Sequence, residues 1–323
     1  MKYSFIFCIF IFFLIQVYFS LKSFSYEECS CFGENKTDET YPMSYQDAGW
    51  IYYLSSIGKK PVKIGKGLIS SLSADRKFIV YTEEFMKPVP ITRFDVDYTT
   101  LNVAGIDGKG CREIFRNNRY IYDLIWSPVD NLIAFVYLGE SRTLAVINPD
   151  GTGKKDLISR DDGIVDDIYS IHWTPDGKSI CFIDLYYFYR IDLSGKIINK
   201  ISLDFIDSEE NILSSDVEIV PCPVNDKIFL FTVMVKGTEE FIKEFHDCVT
   251  AIFIYDFSDK SYKRITTPDF TASDPVWSRD GKFIYFWGFG EKHYKEKYRH
   301  RIYRMKIDGS ELTEICKGGY PGL

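Results

Sequence analysis

Residues 277–287 read WSRDGKFIYFW, and this phrase decides the fold because it recurs. Its copies are WTPDGKSICFI at 173–183, WSPVDNLIAFVY at 126–137, LSADRKFIVY at 72–81 and PVNDKIFLF at 223–231. Aligned on Tyr81, Phe135, Phe182, Phe231 and Phe286, they are spaced by 54, 47, 49 and 55 residues. Self-similarity near fifty residues marks a repeat architecture. A second phrase interleaves with the first: strand, Gly- or Asp-bearing turn, strand. It occurs at 50–64, 101–115, 144–158, 188–201, 252–266 and 302–316.

Each repeat is therefore expected to hold four strands. The first ends at Trp126, Trp173 or Trp277, and a turn built on Pro128, on Asp176-Gly177 or on Asp280-Gly281 leads into the second. Ser/Thr and Asp oxygens in such a turn accept local backbone N–H bonds, and Gly tolerates positive φ. The second strand is nearly unbroken in apolar residues, as in a strand buried on both faces; an amphipathic helix would repeat every 3.6 residues. The third and fourth strands form a hairpin on Asp-Gly or Ser-Gly. Sheets apolar on both faces must stack on like sheets, and a ring of them leaves no face exposed. The expectation is an all-β, six-bladed propeller of four-stranded antiparallel blades. Six outer hairpins against five inner ones leave one blade irregular or incomplete, with residues 26–48 as candidates to complete it. The three tryptophans are expected at equivalent sites between blades.

The phrase Trp-Ser-Pro-Asp-Gly-Lys followed by an apolar strand and an Asp-Gly hairpin resembles the repeat of the TolB-like propeller families. The resemblance covers residues 50–316 and departs from the pattern at 73–76 and 222–226, where the tryptophan is missing and the turn is degenerate. It implies a propeller that binds other proteins. The family's α/β domain ahead of the propeller is not expected here, since about 25 residues separate Ser25 from Trp50, and the family's partners are not carried over.

Ahead of the repeats, Lys2 precedes an apolar run from Ser4 to Phe19, and Ser23-Phe24-Ser25 supplies small residues for cleavage. Residues 1–25 read as a signal peptide, with a membrane anchor as the alternative, since the run falls short of the ~20 residues a spanning helix needs. The domain plan is 1–25 leader, 26–48 N-terminal segment and 49–323 propeller, exported to a periplasmic or extracellular location. The 323 residues carry 39 basic and 46 acidic side chains, a net charge of −7, which argues against nucleic-acid binding through a basic surface. Aromatic residues make up 17% of the chain, an enrichment that favours strands. Eight cysteines, one of them in the leader, are too sparse for a disulfide framework, although one or two bridges would suit the compartment.

Strand order places the connections between second and third strands, and those between blades, on one face. The longest segments, 82–100, 232–250 and 288–300, fall there, with acidic connections at 159–168 and 204–216. Binding concentrates on long loops mounted on rigid scaffolds. The candidate binding residues are the basic-aromatic tip His293, Lys295, Lys297, Tyr298, Arg299 and Arg301, and the acidic cluster Asp161, Asp162, Asp166 and Asp167. The tip suits an acidic partner or an anionic glycan. The aspartates offer hard oxygen ligands to calcium but lack the alternating spacing of a calcium loop. No sequence feature demands a cofactor. No G-x-S-x-G elbow or phosphate loop is present, and four histidines make a multi-His metal site hard to assemble. The favoured reading is a non-catalytic scaffold for a protein or cell-envelope polymer. The alternative is a polysaccharide lyase or hydrolase with carboxylates and a His at the channel mouth.

Overall fold

The computed structural model describes residues 42–89, 93–206, 211–212, 217–238, 248–296 and 298–323. The leader at 1–25, the rest of the N-terminal segment to 41, Cys29, Cys31 and Lys297 lie outside the described residues. Among the described residues no helix is long and apolar enough to cross a membrane.

The described residues form six antiparallel sheets. From the axis outward, blade 2 is Ser70–Leu72, Phe78–Val89, Arg93–Gly105 and Arg112–Asn117; blade 3 is Ile121–Trp126, Ile133–Leu138, Arg142–Ile147 and Lys155–Ser159. Blade 4 runs Tyr169–Trp173, Ser179–Ile183, Tyr187–Asp192 and Ile197–Ser202. Blade 5 runs Ile219–Cys222, Asn225–Val235, Val249–Asp256 and Ser261–Arg264, with the short strand Asn211–Ile212 also on Asn225–Val235. Blade 6 is Phe270–Trp277, Phe283–Gly290, Arg301–Lys306 and Thr313–Lys317. The innermost strands touch their neighbours in succession around a closed ring, which puts blade 6 opposite blade 3.

No described blade is incomplete. Blade 1 is complete, ordered Gly319–Gly322, Met43–Asp47, Trp50–Leu54 and Val62–Lys66. The C-terminal residues are too few for two strands but sufficient for one short inner strand, and the N-terminal segment supplies the second. Among the described residues the first strand of the propeller is Met43–Asp47, within the 26–48 segment. Irregularity lies instead in the additional strand of blade 5.

The buried apolar side chains fall into six clusters, one per seam between blades. The seam of blades 3 and 4, for example, joins Ala134, Val136 and Leu144 to Trp173, Ile180 and Phe182. Trp173 is buried in that seam and Trp277 in the seam of blades 5 and 6, and each indole N–H donates to a carbonyl of the preceding blade, Ile125 at 3.2 Å and Val220 at 3.1 Å. Trp126 is buried in the seam of blades 2 and 3.

The turns between first and second strands work as their residues dictate. Thr174 Oγ1 accepts from Ser179 N at 3.1 Å, and Asp176 Oδ1 accepts from Lys178 N at 3.1 Å; Ser278 and Asp280 repeat the arrangement. The turn at 73–76 is degenerate in sequence but not in shape: Arg76, at φ 59°, stands where Gly177 and Gly281 stand at 66° and 69°. In the outer hairpins, glycine answers two constraints at once. Gly108 has φ 76°, and a Cβ there would sit 2.7 Å from the Lys63 carbonyl of the preceding blade.

Replacing Trp173 by Ala should lower unfolding free energy by about 3–5 kcal/mol, because it empties a seam and leaves Ile125 O without its donor. Ile198→Ala, on an exposed outer strand, should stay within about 0.5 kcal/mol. Denaturant titration of the two variants checks both.

Candidate functional site

The loop face is less loose than its sequence suggests. Much of segment 82–100 is not loop but the outer part of a long hairpin, in which Phe85 and Tyr98 stack at 4.4 Å and Arg116 lies 4.2 Å over Tyr98. Segments 207–210, 213–216 and 239–247 lie outside the described residues.

The basic tip needs correction in two members. His293 and Arg301 are buried, 6% and 3% exposed, and so present no charge to a partner. Arg301 opens a strand and faces Glu314 on the neighbouring outer strand, with Nε 3.3 Å from Glu314 Oε1 and its other arm on Glu296. His293 Nδ1 lies 2.7 Å from Glu296 Oε1, and Nε2 lies 3.0 Å from Glu314 Oε2. The His293 contact, then Arg301, holds the Glu296 carboxyl below its usual range. This ion network pins the tip to the blade. Lys292, Lys295 and Tyr298 are exposed, and Arg299 is half-buried with its guanidinium 4.8 Å over Phe289.

The acidic cluster also divides. Asp162 accepts from Ser159 N at 2.8 Å and closes a capping box on the 3-10 turn Arg160–Asp162. Asp167 accepts from Tyr169 Oη at 2.6 Å and from Ile168 N at 2.9 Å, and pairs with Arg142 at 3.3 Å. Burial, then Asp167, pushes the Tyr169 hydroxyl up to about 12. Asp161 and Asp166 remain exposed. The four aspartates do not converge on a point, and among the described residues no group of His, Cys, Asp or Glu is arranged to hold a metal ion.

Three residues that sequence reasoning passed over gather at the axis: Asp123, Ser170 and Asp274. Each stands three positions before a repeat tryptophan, so the repeat register was the signal that could have found them. Asp123 Oδ2 accepts from Ile171 N of the next blade at 3.0 Å, and Ser170 Oγ accepts from Ile219 N of the next at 3.0 Å. In blade 6 the matching donor would be residue 275, a proline without an N–H. There Glu218 bonds to the Asp274 carboxyl instead, and Trp287 Nε1 also donates to Asp274. Burial in the channel raises the Asp274 carboxyl, and the contacts with Glu218 and Trp287 oppose that rise.

The same enclosure pushes Asp123 up to about 7, with the negative charge of Asp274 across the channel adding to it. His172, whose Nε2 lies 3.2 Å from Ser170 Oγ, is pushed down to about 4 by burial. His300, packed 4.5 Å from the Trp287 ring, is brought to about 4 by burial, then by Arg299 and Arg301. The five described cysteines are all free, so no bridge forms among them.

No protein-family profile matches the sequence, and no curated protein matches it. Solved structures match in shape. TolB from Acinetobacter baumannii superposes with TM-score 0.60 at 13% identity, over 87% of this chain and 64% of that one. This chain thus spans less than two thirds of that protein. A putative TolB from Agrobacterium tumefaciens gives TM-score 0.52 at 16% identity, over 80% of this chain and 87% of that one. An oligogalacturonate lyase in complex with manganese gives only 0.47 at 14% identity, over 84% and 78%, too remote to bear on function. By shape the chain is a six-bladed β-propeller, similar in fold to these two TolB structures.

Proposed function

We propose that the protein is an exported, non-catalytic scaffold that binds another protein or a cell-envelope polymer through its loop face. One observation carries the non-catalytic part. The channel groups with the chemistry of an active site are already engaged between blades: Asp123 with Ile171 N, Ser170 with Ile219 N, and Asp274 with Glu218 and Trp287. A catalytic acid or base must reach a substrate proton, and these oxygens instead hold the ring together. Export rests on the apolar run from Ser4 to Phe19 behind Lys2. The net charge of −7 supports a partner other than nucleic acid.

The enzyme reading retains one supporting observation. Asp123, raised to about 7, and the Ser170–His172 pair stand together in the channel, as the lyase or hydrolase alternative requires. A stitching role and a catalytic one differ in what pH does. The folded form of Asp123 binds its proton up to about pH 7, against about 3.9 when unfolded. The native state therefore holds more protons between those values, and this group's contribution to stability falls as pH rises through the window. His172 acts oppositely: its folded value near 4, below about 6.5 unfolded, costs stability as pH falls from 6.5 toward 4.

Asp123→Asn keeps an acceptor for Ile171 N and removes the titration. Its thermal midpoint, compared with that of the unaltered protein, should improve steadily from pH 4 to pH 8. A constant difference across that range would show that Asp123 does not titrate there. For the loop face, Lys292, Lys295 and Arg299 changed together to Ser should weaken retention on immobilised polyglutamate at low salt, with the thermal midpoint nearly unchanged. Arg301 is left in place because its loss would strand Glu296 and Glu314. Lys154 and Lys155, at a hairpin turn on the opposite face, are the control pair; an equal loss from them would mean non-specific electrostatics.

A further inference from the structure

The connection from blade 3 to blade 4 is built as a rigid rim. Val165 and Ile168 anchor it, 4% and 1% exposed. The buried carboxylate of Asp184 ties it to the neighbouring turn of blade 4, accepting from Asp166 N at 3.3 Å, Tyr186 N at 3.0 Å, Tyr187 N at 2.9 Å and Tyr189 Oη at 2.7 Å. On this fixed base two large apolar side chains are left in solvent, Ile164 at 57% and Tyr186 at 60% exposed. The connection that carries Ile164 also supplies Arg160, Asp161 and Asp167 to a cleft of about 520 Å³, whose other lining includes Tyr122, Glu140 and Arg142. The guanidinium of Arg142 is fixed between the rings of Tyr122 and Tyr169, 4.3 and 4.4 Å from their centroids, and its charge is met by Asp167. Of the remaining charges lining the cleft, two are acidic, Glu140 and Asp161, and one is basic, Arg160, with Asp166 exposed on the same connection.

We propose that this cleft and rim bind a protein segment carrying lysine or arginine beside an apolar side chain. The cation enters between Glu140 and Asp161, and the apolar neighbour covers Ile164 and Tyr186. Charge complementarity selects the occupant: with Arg142 met by Asp167, two carboxylates against the one guanidinium of Arg160 leave the cleft net acidic, and a purely polar segment would leave both apolar side chains wet. Because the rim is held by buried hydrogen bonds, little ordering cost falls on it when a partner docks. The assignment rests on the binding-scaffold reading and names a partner chemistry for one sector of the face, opposite the basic tip.

The test uses the full chain and three fluorescent hexapeptides, Gly-Leu-Lys-Leu-Lys-Gly, Gly-Leu-Glu-Leu-Glu-Gly and Gly-Ser-Lys-Ser-Lys-Gly, followed by anisotropy at low salt. The Leu-Lys peptide should bind at least about tenfold more tightly than the Leu-Glu peptide, with Ser-Lys between them. Glu140→Lys with Asp161→Lys should weaken the Leu-Lys peptide by about tenfold. Ile164→Ser with Tyr186→Ser should erase the preference for Leu-Lys over Ser-Lys. Asp130→Lys with Asp226→Lys, exposed on the turn face, should change nothing. Equal binding of the Leu-Glu peptide, no effect of the cleft reversal, or an equal effect of the turn-face reversal each overturns the assignment. If no peptide binds while the Lys292, Lys295 and Arg299 tip still retains polyglutamate, the cleft assignment fails and the scaffold reading stands. If neither interaction occurs, both fail.

Discussion

A sheet that is apolar on both faces has no stable edge position in a stack, and every other feature of this molecule follows from that constraint. Each blade needs a neighbour on either side, so the stack must close on itself. Closure rests on four residues, Gly319–Gly322, which pair with Met43–Asp47 as the innermost strand of blade 1. Ser44 Oγ donates to Gly322 O at 3.3 Å, and Ser70 Oγ donates to Ser44 Oγ at 2.9 Å, which joins the closing strand to blade 2. On the turn face, blade 1 has no turn between its first two strands because they come from opposite ends of the chain. Arg279 of blade 6 spans that gap and donates to Ala74 O at 2.7 Å and Ser73 O at 3.2 Å in blade 2. Burial lowers its pKa, a cost that the two carbonyls offset.

The channel chemistry is a consequence of the same closure. Inner strands bulge where they converge on the axis, as the register shifts at Ile121/Asp123, Tyr169/His172 and Ser273/Val276 record. A bulge frees a backbone N–H from the ladder, and in blade 4 the freed Ile171 N is accepted by Asp123; in blade 5 Ile219 N, at the start of its strand, is accepted by Ser170. Where proline removes the donor, at Pro275, Glu218 meets the Asp274 carboxyl instead. Perturbed titration usually directs attention to catalysis. Here the rise comes from burial in the channel, and the bonds that join blades, such as Ile171 N to Asp123, oppose it.

Most of the fold was legible because its determinants are local. The Asp-Gly and Ser-Gly hairpins, the Trp-to-Asp-Gly turns and the unbroken apolar second strands each declare a strand boundary within a few residues. The turn at 73–76 hid its identity because Arg76 adopts the left-handed conformation that glycine serves elsewhere. Blade 1 was harder to read because its pairing joins residues separated by nearly the whole chain. The candidate site was legible only as a face. His293 and Arg301 look like surface charges in sequence, yet Glu314, on another strand, draws them inward. Asp162 and Asp167 resemble ion ligands, yet backbone N–H groups and Arg142 engage them first. Which way a charged side chain turns depends on partners distant in sequence, and a motif of a few residues does not contain them.

The central claim is that one short strand closes the ring and so holds the loop face in place. Hydrogen exchange on the chain truncated after Lys317, compared with the full chain, tests it most directly. The account predicts loss of protection first in Met43–Asp47 and Ser70–Leu72, which lose their pairing partner and inner neighbour. Blade 4, across the ring, should keep most of its protection under native conditions. Unchanged protection in Met43–Asp47 and Ser70–Leu72 after truncation would contradict it.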